Sequence, residues 1–180
     1  MPMTVTAGAE TAEIRIYVAC LAAYNGGRLH GTWIDAEQDA DDIQTQVDAM
    51  LASSPEPMAE EWAIHDYEGF EGMTIHESHG FAEVAELAAL LSEHGPAYAA
   101  YANNIGEQYA AADGFEESFN GTHASEQEFA EQLIDDVGGA ESGSLAERYF
   151  DYEAFTRDLF MGDYWSDPAP GGGVFVFRNL

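Results

Sequence analysis

Apolar residues recur along this chain in two different periods, and each change of period marks a new element. "EIRIYVACLAAY" alternates, with β-branched and aromatic positions, and predicts a first strand. "NGG" at Asn25 to Gly27 predicts a tight turn, and "RLHGTWIDA" predicts the returning strand. In "DADDIQTQVDAMLASSP" the spacing of Ile43, Val47, Met50 and Leu51 predicts one face of a helix, which Pro55 and Pro57 end. "EEWAIHDYEGF" then reads as a half-buried third strand, with Trp62, Ile64 and Tyr67 apolar and Gly69 at the exit. One helix on a small sheet is the expected unit.

From about Gly80 the texture changes. "GFAEVAELAALLSEHG" places Val84, Leu87, Ala88 and Leu91 on one helical face, and Gly95-Pro96 breaks it. The Ala-rich pieces "PAYAAYANN" and "IGEQYAAA" predict further short helices, so this middle region reads as a small bundle. "SEQEFAEQLIDDVGG" opens with Ser125 and Glu128 in capping-box spacing and closes on Gly138-Gly139. "DYEAFTRDLFMG" predicts another amphipathic helix, and "DYWSDPAPGGGVFVFRN" a final β-hairpin. The expected class is α+β in three small domains. Residues 13–75 form sheet plus helix, 76–118 a helical bundle and 119–180 sheet plus helices, after a flexible start over 1–12.

Charge changes this picture. The chain carries 34 Asp and Glu against 5 Lys and Arg, a formal net charge of −29. With 46% hydrophobic and 12% aromatic residues it nevertheless has enough apolar mass for a core, unlike a disordered acidic tail. The acids number ten in residues 1–60, twelve in 61–120 and twelve in 121–180, so no tail is set apart. Nucleic acid and anionic membranes would be repelled, which leaves a basic partner or a very salty medium as the complement. The single cysteine, Cys20, lies in an apolar run and predicts a buried thiol in a reducing compartment. The first dozen residues lack a signal peptide's pattern, and no run approaches the roughly 20 apolar residues of a span. The expectation is a soluble, cytoplasmic protein.

Catalytic chemistry finds little support. The chain has no lysine, which removes the P-loop and the lysine Schiff base. "IHESHG" spaces His76 and His79 by three, where a zinc-protease helix needs four, and reads as a polar loop. Asp35, Glu37, Asp39 and Asp41 match alternate positions of a calcium loop, but Ala40 stands where glycine is needed and Gln46 where the bidentate Glu belongs. The carboxylates are too many for any glycosidase-like pair to stand out, and His65 reads as a strand residue. Arg15, Arg28, Arg148, Arg157 and Arg178 are scattered, and read as local partners of acids. No catalytic, cofactor-binding or metal residue is assigned.

Two explanations for the charge remain at this point. One is halophilic adaptation. The other is imitation of nucleic acid, directed at a basic DNA-binding protein. B-DNA carries one charge per roughly 1.7 Å, so 29 net charges match about 50 Å, or about 15 base pairs, and an end-to-end dimer about twice that. Small separate units can be laid out as a rod of that scale.

"IYVACLAAYNGGRLHGTWIDA", "EEWAIHDYEGF", "VAELAALLSEHGPAYAAY" and "YFDYEAFTRDLFMGDYW" together resemble the ArdA family of antirestriction proteins, from about Ile14 to Phe177. "AIHDYEGF" and "DYEAFTRDL" are the most specific segments; the residues before Glu13 lie outside the pattern. The resemblance implies an elongated three-domain protein with no catalytic activity, a homodimer joined through its C-terminal domain. It implies imitation of bent B-form DNA and occupation of the DNA-binding groove of type I restriction-modification enzymes. The acids expected to stand for phosphates are Asp39, Asp41, Asp42 and Asp48; Glu60, Glu61, Asp66 and Glu68; Glu83, Glu86 and Glu93; Glu116 and Glu117; and Glu126, Glu128, Glu131, Asp135 and Asp136. For the dimer contact the C-terminal region offers Tyr149, Phe150, Tyr152 and Phe155, which core packing would explain equally well.

Overall fold

A computed structural model describes residues 13–139 and 143–180. The start expected to be flexible, residues 1–12, lies outside the described residues. The chain is mixed α+β and divides between Gly95 and Pro96 into two units, each with a three-stranded antiparallel sheet.

In the first unit β1 (Arg15–Cys20) lies between β2 (Gly31–Asp35) and β3 (Trp62–Glu68). Ile16, Val18 and Cys20 alternate onto the buried face, joined there by Ile34 and Ile64. β3 departs from strict alternation because its register against β1 shifts at His65, so that Val18 faces Ile64 and Tyr17 faces Asp66. Helix α2 (Ala40–Ala52) packs on β1 and β2 through Ile43, Val47 and Met50, as its spacing predicts. Helix α3 (Phe81–His94) packs on α2, burying Phe81, Val84, Leu87, Ala88 and Leu91, and Phe81 stacks on Trp62 at 4.1 Å. Cys20 is buried and free, its Sγ 3.4 Å from the Ser54 hydroxyl.

The turn predicted at "NGG" and the returning strand are present, with Gly26 and Gly27 in a turn and β2 antiparallel to β1, but the predicted length of the first strand is corrected. Strand β1 stops at Cys20, and "LAAYN" turns into the short helix α1 (Leu21–Asn25). Gly26 N–H donates to Ala22 O, and Arg28 N–H to Ala23 O, so the backbone bonds a two-residue turn would have made close this helix instead. Leu and Ala favour the helix, and with no β-branched residue after Val18 the extended state has little hold on the segment.

The second unit opens with α4 (Pro96–Ile105), a 3₁₀ turn over Glu107–Tyr109 and α5 (Ala112–Ser118). The helix expected over "IGEQYAAA" is therefore replaced by the 3₁₀ turn, after a Gly106 held at φ 93°. Strand β4 (Phe119–His123), which the sequence pattern does not announce, follows directly. Helix α6 (Glu126–Asp136) and α8 (Tyr152–Gly162) match the predicted helices; α7 (Leu145–Tyr149) between them is an addition. Strands β5 (Tyr164–Pro168) and β6 (Val174–Arg178) form the expected hairpin, and β6 is central, in the order β4-β6-β5.

"VFVF" makes β6 the axis of this unit, because a strand at the centre of two layers can be apolar on both faces. Val176 packs with Phe129, Ala130 and Leu159 of α6 and α8. Phe177 faces the opposite way, stacked on Trp165 at 4.1 Å and flanked by Phe119 at 5.4 Å and Tyr101 at 6.0 Å. The β4 ladder shifts register around Gly121, at φ 93°, which is what a Gly-bearing bulge requires. Phe177→Ala is expected to destabilise this unit by about 3–5 kcal/mol, the loss of a fully buried ring. Urea unfolding followed by circular dichroism checks it; a change under 1 kcal/mol would remove Phe177 from its central role.

Candidate functional site

Putting a carboxylate in an apolar interior is so costly that acids stay outside unless paired, and here none of the described Asp or Glu is buried. The surface is therefore the candidate site, and each element presents its acids for a local reason. Asp39 is the N-cap residue of α2, and Asp41 and Asp42 lie in its first turn, where the helix dipole favours negative charge. Asp48, further along α2, accepts a hydrogen bond from Gln44 at 2.8 Å. Glu60 and Glu61 lead into β3, and Asp66 and Glu68 point from it, all four exposed.

Several of these acids also hold the fold. Glu68 accepts from Arg15 Nη2 at 2.7 Å, so its charge is already compensated. Glu83 accepts the Gly80 N–H at 3.0 Å, closing the start of α3. Ser125 accepts the Glu128 N–H at 3.1 Å, and Glu128 reaches back to the Ala124 N–H, one residue before the position a standard capping box uses. Glu126 is half-buried and accepts from the Ser166 hydroxyl at 2.7 Å. Glu86, Glu93, Glu116, Glu117, Glu131, Asp135 and Asp136 are exposed.

The structure gathers some of these acids in ways that sequence spacing did not indicate. Asp39 and Asp42 from the start of α2 and Glu86 and Glu93 from α3 line one open groove, with Ala82, Ala85 and Ala89 between them. Glu37, absent from the predicted set, lines it too; its place in the acidic run before α2 was the available signal. On the second unit, Glu147 of α7 and Asp135 and Glu131 of α6 act electrostatically on the Tyr152 phenol. Partial burial first, then Glu147, Asp135 and Glu131, raise its pKa above 10.0. Tyr101 is raised too, by burial and then by Glu117. Both phenols therefore stay neutral below pH 10, and any stability they contribute is lost only as pH rises above it.

Of the four aromatics offered for a dimer contact, Phe150 meets Tyr152 at 4.7 Å and Phe155 at 5.5 Å, all three half-buried together. Tyr149 stands apart, 82% exposed, with Leu145 71% exposed one turn earlier on α7. Among the described residues no group of three or more His, Cys, Asp or Glu is arranged to hold a metal ion. His76 N–H donates to His79 Nδ1 at 3.2 Å, so this pair is tied up within its own loop. Among the described residues no helix is long and apolar enough to cross a membrane.

Two small sheets with packed helices, whose described carboxylates all lie outside the cores, define an acidic α+β protein. The sequence model described as Antirestriction protein (ArdA) matches residues 16–168, and the chain belongs to the ArdA family. A comparison with curated proteins found no match. Family membership implies an antirestriction function.

Asp135 and Asp136 sit in the last turn of α6, which carries no basic residue, so they oppose the helix dipole. Asp135→Asn with Asp136→Asn is expected to stabilise the protein by about 0.3–1 kcal/mol per site. Thermal melts at low salt check this; a fall in Tm would show that these carboxylates have a structural partner.

Proposed function

We propose that this chain inhibits type I restriction-modification enzymes by imitating B-form DNA, its carboxylates occupying the sites that phosphates take in the DNA-binding groove. The observation that carries the reading is the placement of charge: most of the described acids are exposed and none is buried in either unit, while only five arginines are present against them. Retaining Asp135 and Asp136 where they weaken a helix supports it, since stability alone would select against them. The array is elongated, three-domain and homodimeric on this reading, protects incoming mobile DNA and acts in the cytoplasm. Binding follows from the enzyme's basic residues exchanging their anions for carboxylates. Curvature and spacing of the array set specificity, because each exposed pair contributes only about 0–1 kcal/mol.

Titration of the protein into a purified type I restriction enzyme with labelled DNA, at low and moderate salt, tests the reading. Competitive loss of DNA binding, relieved by salt, is expected. Single changes such as Glu86→Gln should alter inhibition by less than about fivefold, while blocks of five or more neutralisations should abolish it. No competition by the folded protein across several such enzymes would overturn the proposal, and unfolding at low salt would favour halophilic adaptation.

The exposed Tyr149 and Leu145 support a two-fold contact through α7, next to the Phe150, Tyr152 and Phe155 cluster. Tyr149→Glu is expected to shift sedimentation from dimer to monomer while circular dichroism stays unchanged. A dimer that survives the substitution would move the contact elsewhere.

A further inference from the structure

The outer face of the first sheet carries an aromatic row that a phosphate-like array does not require. Tyr17 on β1 stands opposite Trp33 on β2 and Asp66 on β3. The two rings are tilted at 57° with centroids 5.5 Å apart. Gly31 makes the row possible: a Cβ there would come within 2.8 Å of the Tyr17 ring and hydroxyl, so the phenol lies along the strand over the glycine. The next row on this face is Asp35, Arg15 and Glu68. Ile16, Val18 and Ile34 alternate to the buried side, whereas Trp33 is 37% exposed and Tyr17 half-buried.

This face already holds one guanidinium. Arg15 Cζ lies 4.8 Å from the Trp33 ring centroid, and its Nε donates to Glu68 Oε2 at 2.8 Å. An aromatic face beside a carboxylate suits a planar guanidinium, which stacks and pairs at once, better than it suits an ammonium. Tyr17 repeats that arrangement one row along, with Trp33 to one side and Asp66 to the other. The Asp66 carboxylate accepts the Tyr67 N–H at 2.8 Å and, among the described residues, has no ion-pair partner.

We infer that the Tyr17, Trp33 and Asp66 row is a docking point for an arginine side chain of the basic partner, stacked on the rings and paired with the carboxylate. The partner's identity as a restriction enzyme rests on the proposed function; the chemistry of the docking point does not. Carboxylates already favour Arg over Lys through bidentate pairing, and the rings add a further preference for the planar cation. The stacking contribution is also less sensitive to salt than the charge pairs around it, because it acts at shorter range.

The test compares oligoarginine and oligolysine peptides of equal length binding to the full chain at moderate salt. The wild-type protein is expected to prefer oligoarginine, and Trp33→Ala to reduce that preference by about two- to fivefold, the size of an exposed cation–π contact. Trp33→Phe should retain most of it. An unchanged preference in folded Trp33→Ala overturns the inference. Should that variant fail to fold, the indole N–H resonance of Trp33 in the wild-type protein, assigned by Trp33→Phe, serves instead. It should shift with oligoarginine more than with oligolysine, and equal shifts overturn the inference. With a type I enzyme, Trp33→Ala should weaken binding by nearly the same factor at every salt concentration. Absence of wild-type binding there would remove the proposed function and leave the peptide result standing.

Discussion

Like charges on one folded chain repel, and here 34 carboxylates face only five arginines, so whatever holds this protein together has to be mostly uncharged. That requirement accounts for the cores. The first sheet closes on Ile16, Val18, Ile34, Ile43 and Val47, each buried with no polar neighbour to satisfy. The second is built around a strand apolar on both faces, with rings packed along it. Among the described residues, Ser118 and Thr156 are the buried polar side chains, and both hydroxyls donate to backbone carbonyls. Electrostatics is kept to the surface, where water screens it.

The ion pairs do not alter this balance. Arg15 with Glu68, Arg28 with Glu56 and Arg157 with Asp158 are partly or wholly solvated, and such pairs contribute about 0–1 kcal/mol each. More is gained where acids and a serine accept from free backbone N–H groups at helix starts. Ser144 and Glu147 at α7, and Asp151 at α8, satisfy N-terminal backbone donors. Negative charge is favourable at those helix starts and unfavourable at the ends, yet the described helices α2, α6 and α8 have no base in their last turns.

What could be read from the sequence follows from how local each signal is. Helices α2, α3, α6 and α8 were legible because a 3.6-residue apolar stripe decides them within a dozen positions. Strand β4 was not, because "FNGTH" has one apolar residue and a bulge, and is a strand by virtue of pairing with β6 more than fifty residues later. The segment after Cys20 was only half legible: "NGG" does mark the turn into β2, but Leu21 to Tyr24 leave the strand for a helix before reaching it. Exposure of the acids was legible too, since carboxylates have almost nowhere else to go. Their grouping was not: the groove between α2 and α3, the three carboxylates acting on Tyr152 and the Arg15–Glu68 pair all depend on the approach of distant segments.

An array of screened charges is tolerant by construction, because no member contributes much and Asp or Glu can stand at nearly the same point. The same tolerance makes it a poor discriminator, since any basic surface of similar size gains from it. Discrimination then has to come from features that are not interchangeable: the direction in which the backbone points each carboxylate, and the few uncharged groups placed among them. The sheet of the first unit supplies both. Its pleat fixes which acids share a face with Tyr17 and Trp33, and Gly31 fixes where the Tyr17 ring can lie. Apolar residues therefore do more than oppose repulsion: on the outer face of the first sheet Tyr17 and Trp33 set uncharged rings among the carboxylates.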